Sequence, residues 1–244
     1  MSRDKKAEVV IFANEILNFS RNKLLVNLRF MNVALSYHER IAYEGSLATD
    51  GKTLLYDPRF VLQTYKKSQE EMVRMYLHMV LHCVFRHPFI DGSVNERLWS
   101  LACDMAVECA INDLGLNGVS SVREEKQNQI VSKIGKELKI LTAEKIYSLL
   151  RKADYPDWTL TQWETAFKAD DHTPWYMGTF RLINLPIQQR LCLWRMDMRF
   201  LMCRHGRSGW YCSMKILPRT RKRYEYKESQ RTNQKRNDRL LYKR

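Results

Sequence analysis

The chain opens with apolar side chains that recur at helical spacing. Residues 4–38 carry the first such run, and a hinge near Ser20–Asn22 is predicted to divide it into two helices. Later runs predict a helix from about Asn95 to Leu114 and another over AEKIYSLLRKA, which Thr142 caps. Residues 117–136 are polar and lack this period, so a loop is predicted there.

A short β segment interrupts the helical pattern. Thr53–Tyr56 is rich in β-prone residues and follows the turn pair Asp50-Gly51, which predicts a strand or hairpin. Pro58 can open the next helix at its first position. The segment Asp154–Trp175 is predicted to be a loop with aromatic anchors. The sequence therefore predicts an α+β fold that is predominantly helical.

Two histidines lie four residues apart in the apolar stretch LHMVLHCVFRHP. A capping box, Ser68–Glu71, starts this predicted helix. His78 and His82 project from one face, about 40° apart, so both imidazoles can reach one metal ion. Taken alone, the pair favours ordinary hydrogen-bonded core residues over metal ligands. The spacing is that of the zinc-peptidase motif H-E-x-x-H, but Met79 occupies the glutamate position.

The next predicted helix adds two carboxylates on one face. In LWSLACDMAVECAI, Asp104 and Glu108 are again four residues apart among apolar neighbours. A buried carboxylate is costly unless it is paired or bound to a metal. Zinc often takes histidine and carboxylate ligands together, so this pair favours a metal site over a coincidence. A solvent-facing edge of the helix is the alternative, more so for Glu108.

Several segments, in order, resemble one bacterial family. They are LLVNLRF, LATDGKTLLYDPRFVL, YLHMVLHCVFRHPF, LWSLACDMAVECAI, LTAEKIY and DDHTPWY, spread over roughly residues 10–175. The family is the putative metallopeptidase domain that precedes a von Willebrand factor A-like domain. The resemblance implies a zincin-like domain over residues 1–176, with a strand or hairpin before the H-x-x-x-H helix.

The same resemblance implies roles for individual residues. His78 and His82 correspond to the metal-binding histidines, and Asp104 to the acidic residue that we take as the third ligand. Glu108 is then either a partner that holds a histidine or a ligand itself. Zinc is the expected metal.

Met79 is where the sequence departs from the peptidase motif. Its thioether cannot accept a proton at neutral pH, and loss of a general base typically costs about 10²–10⁴-fold in rate. We therefore predict no catalytic residue, a bound metal with weak or absent peptide hydrolysis, and a role as a scaffold that binds a protein partner or peptide segment. The runner-up is an active zinc peptidase whose base is Glu108 or Glu71.

Three further residues are secondary candidates for the site. His87 can join it as an alternative ligand if the helix ends first; otherwise it caps the helix C-terminus as a cation. Asp171 and His172 belong to a polar cluster with Asp170 that could approach the site as accessory groups. A solvated loop explains that cluster equally well.

The charge of +14 is confined to the last quarter of the 244-residue chain. Residues 181–244 hold 18 of the 41 Lys and Arg and 4 of the 27 Asp and Glu, so the remainder is neutral. A nucleic-acid-binding arm is one hypothesis for this part. The other hypotheses make residues 177–244 a disordered tail, or the product of a truncated or frameshifted gene that lacks the von Willebrand-like domain.

The location is predicted from what the sequence lacks. Its apolar runs fall short of the roughly 20 residues that cross a bilayer, so no membrane partner is expected. The six cysteines include no C-x-x-C pair. Reduced thiols in a cytoplasmic protein fit this pattern better than a disulfide framework.

Overall fold

The computed structural model describes residues 3–89, 94–135, 137–138 and 140–176, and the backbone of two further short segments. Helices dominate it, and a small sheet lies between the first and second long helical regions. In chain order the elements up to residue 85 are α1 (Arg3–Asn27), a 3₁₀ turn (Arg29–Met31), α2 (Asn32–Ser36), β1 (Glu39–Ala42), β2 (Leu47–Thr49), β3 (Thr53–Tyr56), α3 (Pro58–Lys67) and α4 (Gln69–Phe85). They are followed by α5 (Glu96–Leu114), α6 (Glu124–Ile134), α7 (Ala143–Ala153), α8 (Asp157–Phe167) and the short α9 (Thr173–Tyr176).

The sheet has the strand order β1-β3-β2, which places β2 at one edge. β1 runs parallel to β3, and β2 runs antiparallel to it. The turn from β2 to β3 is closed by Asp50, whose Oδ1 accepts the backbone N–H groups of Lys52 and Thr53. Gly51 within it has φ +87°, a conformation that favours glycine.

Local signals account for the two helices that matter most for the site. Ser68 caps α4 by accepting the N–H of Glu71 at 3.1 Å, and the helix ends at Arg86 in the left-handed conformation. Asn95 caps α5 by accepting the N–H of Leu98 at 3.0 Å, and Gly115 ends it.

Two apolar cores lie on either side of α5. One joins α1, α3, α4 and the sheet, and α5 contributes Val107 and Ile111 to it. The other joins α5 to α6, α7 and α8, with Ile146 and Phe167 completely buried. α5 is therefore covered on both sides, and the two carboxylates in its middle, Asp104 and Glu108, are buried.

The mostly helical α+β fold, with strands before the histidine helix, is confirmed. The strand Thr53–Tyr56 and the caps Ser68 and Thr142 are where the sequence places them. The hinge predicted near Ser20–Asn22 is wrong, because α1 continues to Asn27 and the Ser20 hydroxyl donates to the Ile16 carbonyl inside it.

The two predicted loops are also wrong in part. Residues 117–136 contain α6, and Asp154–Trp175 contains α8. The helical period of α6 was hidden because Gln127, on its buried face, is polar: it donates to Glu108 and to the Ala166 carbonyl. A polar residue at a core position removes the apolar signal on which the sequence argument depends.

Beyond residue 176 the structure describes only backbone segments. β4 (Phe200–Arg204) and β5 (Trp210–Met214) pair antiparallel. The rest of the 177–244 region lies outside the described residues. The hypotheses of a nucleic-acid-binding arm, a disordered tail or a frameshifted end therefore stay predictions. Among the residues described, no helix is both long and apolar enough to cross a membrane.

Asp113, in the last turn of α5, is a carboxylate in an unfavourable place. Its Oδ2 is buried without a hydrogen-bond partner in the described part of the chain, and burial raises the pKa of Asp113 to about 6. In the unfolded chain the pKa of an aspartate is about 3.9. Above about pH 6 the folded protein therefore carries an ionised carboxylate that burial disfavours, and this lowers its stability. Below about pH 4 the group is protonated in both states and has no such effect. We expect Asp113→Asn to raise the free energy of unfolding by about 1 kcal/mol at pH 7.5.

The pH dependence checks that cause. Urea unfolding at pH 7.5 and below pH 4 should show the gain at the first pH only. An equal gain at both would mean that the charge of Asp113 is not responsible.

Candidate metal centre

Five buried side chains from three parts of the chain converge on one point. Each offers one ligand atom, and these atoms all lie within 4.8 Å of one another. The members are His78, His82, Asp104, Asp170 and His172. We call this set the His₃Asp₂ cluster.

α4 and α5 supply three of the donors. The Nε2 atoms of His78 and His82 are 2.8 Å apart, as expected for residues one turn apart on the same face. Asp104 Oδ1 lies 3.2 Å from the first and 3.3 Å from the second. The H-x-x-x-H spacing and the carboxylate of the next helix are thus brought together.

The segment before α9 supplies the other two donors. It is extended, and Asp171 donates its backbone N–H to the Leu47 carbonyl at 2.7 Å while forming a parallel bridge with Ala48. Side chains alternate along an extended chain. Asp170 and His172 therefore both face the cluster, with Asp170 Oδ1 2.9 Å from His172 Nε2.

Asp171 itself points elsewhere. Its Oδ1 accepts the N–H and the hydroxyl of Thr173, at 3.0 and 2.6 Å, which starts α9. Of the two accessory candidates, the structure brings His172 to the cluster and places Asp171 outside it.

The cluster has the features of a cation site. Asp170 Oδ1 and His172 Nε2 are buried and close enough for an ion pair, but neither makes a hydrogen bond of good geometry within the described residues, and Asp170 Oδ2 is buried without a hydrogen bond as well. Burial lowers the pKa of His172, but Asp104 and Asp170 outweigh it and raise this pKa to about 10. Two buried carboxylates thus demand positive charge at this point. A divalent metal supplies it and can take these histidine and carboxylate atoms as ligands, so the residues fit a metal ion.

Glu108 holds His78 from behind. Its Oε1 lies 2.7 Å from His78 Nδ1. With a metal ion in the cluster, this contact would keep the proton on Nδ1 and direct the Nε2 lone pair at the ion. Burial raises the pKa of Glu108, but the bond to His78 and the charges of His78 and Arg74 hold it at about 2. Of the two roles expected for Glu108, this geometry favours the partner of a histidine.

Arg74 and Gln127 complete the hydrogen bonding of Glu108. Arg74 donates to Glu108 Oε2 through Nε at 2.9 Å and a terminal nitrogen at 2.8 Å. Gln127 donates to the same oxygen at 2.7 Å. This carboxylate is anchored on α4, α5 and α6 at once, so the orientation of His78 is fixed by three helices.

His87 plays the same part for His82. It follows the end of α4, and its Nδ1 lies 2.9 Å from His82 Nδ1. Burial and the neighbouring His82 hold the pKa of His87 well below its usual range, so the imidazole is neutral. Burial therefore opposes the cationic helix cap that is one expectation for His87. His87 contacts a donor of the cluster and is not among the five.

Met79 lies in the apolar core formed by α1, α3, α4 and the sheet and is completely buried. We expect Met79→Glu to lower the free energy of unfolding by about 3 kcal/mol, because it places a carboxyl group among apolar side chains. Met79→Leu, a volume-conserving control, should cost less than about 1.5 kcal/mol. Urea denaturation measures both.

Activity is the second readout for this pair. If Met79→Glu hydrolysed peptides strongly while staying as stable as Met79→Leu, position 79 would have to face the cluster after all.

The two other candidate bases are already bound. Glu71 accepts a bond from Arg123 at 2.9 Å, and Glu108 is held by Arg74, Gln127 and His78. Neither matches the position next to the first histidine that the peptidase motif requires.

A cavity of about 560 Å³ opens beside the cluster. It lies between α5, α8 and the segment that ends in α9, and Asp104 and His172 are part of its wall. Ser100 and Tyr176 line it further out, with their hydroxyl oxygens 2.8 Å apart. The other three donors of the cluster are not part of this wall.

Comparison with known proteins places the chain in a family. Residues 25–179 match the sequence model described as "Putative metallopeptidase domain", and the chain belongs to this family. No curated protein and no solved structure matches the chain.

Asp170 is predicted from the sequence only as a member of the polar cluster with Asp171 and His172, and not as a metal donor. Its signal was present: in DDHTPWY, the residues at positions one and three share a face if the segment is extended. The sequence predicts a loop over this segment, and a loop has no such alternation. His172 was proposed together with Asp171, its neighbour on the opposite face.

Proposed function

We propose that this metallopeptidase-family domain holds a zinc ion in the His₃Asp₂ cluster and has little or no peptidase activity. The observation that carries the proposal is the convergence of five buried donors. Two of them lie on the helix in which Met79 replaces the motif glutamate. A bound zinc ion would supply Lewis acidity and a water of lowered pKa.

The residues of the cluster explain metal binding better than they explain peptide hydrolysis. His78, His82, His172, Asp104 and Asp170 would hold the ion, and Glu108 and His87 would orient two of the histidines. A structural zinc site is closed by its protein ligands, whereas a catalytic one keeps a position open. Zinc usually takes four ligands, so the five donors here can hold the ion and still release one position to an outside ligand. What argues against turnover is the missing base at position 79.

The role that follows is a binding one. We propose that the domain serves as a scaffold for a protein partner or peptide segment within a larger cytoplasmic assembly. The domain would then bind its partner without a chemical reaction, and the metal would stabilise the binding surface. The absence of a base at position 79 supports this proposal.

Metal analysis and an activity assay test it together. Protein purified without chelators should contain about one zinc per chain, and a peptide library should show no chelator-sensitive cleavage above background. No metal after purification and none on titration would refute the metal site. Robust cleavage that a chelator stops would refute the loss of peptidase activity.

An active zinc peptidase is the second candidate, and the cavity favours it. This opening of about 560 Å³ reaches Asp104 and His172, so a substrate can approach the cluster from solvent. The library assay decides between the two.

A further inference from the structure

Extended peptides commonly bind proteins by adding a strand to the exposed edge of a sheet. Here the edge strand next to the cluster is β2. The chain itself occupies this edge. The Leu47 carbonyl accepts the N–H of Asp171 at 2.7 Å, and the Thr49 carbonyl accepts the indole N–H of Trp175 at 2.8 Å.

The occupying segment is fixed at several points. Asp170 and His172 belong to the cluster, and the ring of Trp175 stacks on that of His172 with centroids 3.7 Å apart. A peptide that added to β2 would have to displace these residues. Displacing them would also remove two of the five metal donors.

The cavity offers a different approach. It reaches Asp104 and His172 from the side of α5 and α8, without contact with β2. Its volume of about 560 Å³ is within the range of small-molecule sites, which is roughly 300–1,000 Å³. The hydroxyl groups of Ser100 and Tyr176 add polar contacts on the way in.

We infer that the metal centre takes a compact ligand with oxygen donors through this cavity, and that it does not take an extended peptide along β2. The inference rests on the proposed function, because it needs the metal in the cluster. It names the class of ligand for that same centre: a small molecule or a single terminal group that carries a metal-binding oxygen.

Calorimetric titration of the zinc-loaded full chain tests this. The probes are acetohydroxamate, which is compact, and a tetrapeptide hydroxamate that carries the same metal-binding group on an extended chain. We expect acetohydroxamate to bind, and the tetrapeptide to bind no more than about threefold tighter. Strand addition along β2 would instead add backbone hydrogen bonds and raise the affinity by tenfold or more.

A matched pair of variants locates the entrance. Ser100→Trp puts a large ring into the cavity wall and should weaken acetohydroxamate binding at least about tenfold. Val122→Trp adds the same ring at a position that is 99% exposed and not part of the wall, and should change nothing. Zinc content, measured for both, shows whether each variant keeps the centre intact. If Ser100→Trp loses zinc, Lys168→Trp on the same wall replaces it.

The outcomes separate the two proposals. A chain that takes up no zinc refutes the proposed function and this inference with it. A chain that takes up zinc but does not bind acetohydroxamate, or binds the tetrapeptide tenfold tighter, refutes this inference alone. So does a Ser100→Trp or Lys168→Trp variant that keeps both zinc and full acetohydroxamate affinity.

Discussion

Asp170→Asn should weaken zinc binding by more than about 100-fold, while the same replacement at the neighbouring Asp171 leaves the affinity unchanged. The two residues are adjacent, but only Asp170 faces the cluster, because Asp171 turns outward to start α9. Loss of a residue that merely orients a ligand costs about 10–100-fold, so loss of a donor should cost more. Competition against a chromophoric chelator measures both variants.

Asp171→Asn is a close control. Asparagine can cap a helix as aspartate does, so the local backbone should stay in place. Both variants lose one negative charge, which removes general electrostatics as an explanation. Equal losses of affinity in the two would mean that the metal responds to charge near the cluster and not to a donor at position 170.

Arg74→Met should lower the free energy of unfolding by about 3–5 kcal/mol. Arg74 is 1% exposed and donates to Glu108, which is 0% exposed. It also donates to the Val119 carbonyl at 3.1 Å and to the Asn112 side chain. Removing it leaves a buried carboxylate without its cation and a buried carbonyl without its donor.

Arg123→Met is the matched control for that change. Arg123 also forms an ion pair, with Glu71 at 2.9 Å, but both of these side chains are partly exposed. Solvent screens such pairs, so the expected loss is below about 1 kcal/mol. Urea denaturation of both variants gives the comparison. Similar losses would show that the buried network contributes no more than a surface ion pair.

The sequence predicts the helices that have an apolar stripe and a capping residue. α4 and α5 begin where Ser68 and Asn95 place them, and Gly115 ends the second. The sequence does not predict α6, because Gln127 occupies its buried face and hydrogen-bonds to Glu108. Gln127 is buried because it forms hydrogen bonds, so a search for apolar side chains at helical spacing does not detect this position.

The members of the cluster that lie on helices can be predicted from the sequence. His78, His82 and Asp104 follow from spacing within α4 and α5, since a helix fixes which residues share a face. Asp170 and His172 lie roughly 90 residues later, and their approach depends on the bridge between Asp171 and Ala48. That contact is long-range, so no local pattern contains it.

The spread of the donors along the chain also sets an order of events during synthesis. Ninety-four positions separate His78 from His172. A nascent chain that has reached only α5 presents three donors, and β2 still lacks the segment that covers its edge. Since a domain generally folds as a unit, the full set of donors is expected to come together only after residue 172 has been made, and the metal to enter a largely formed domain. Metal-starved cells should then accumulate a folded apo-form whose region around residues 170–176 is the most sensitive to proteases.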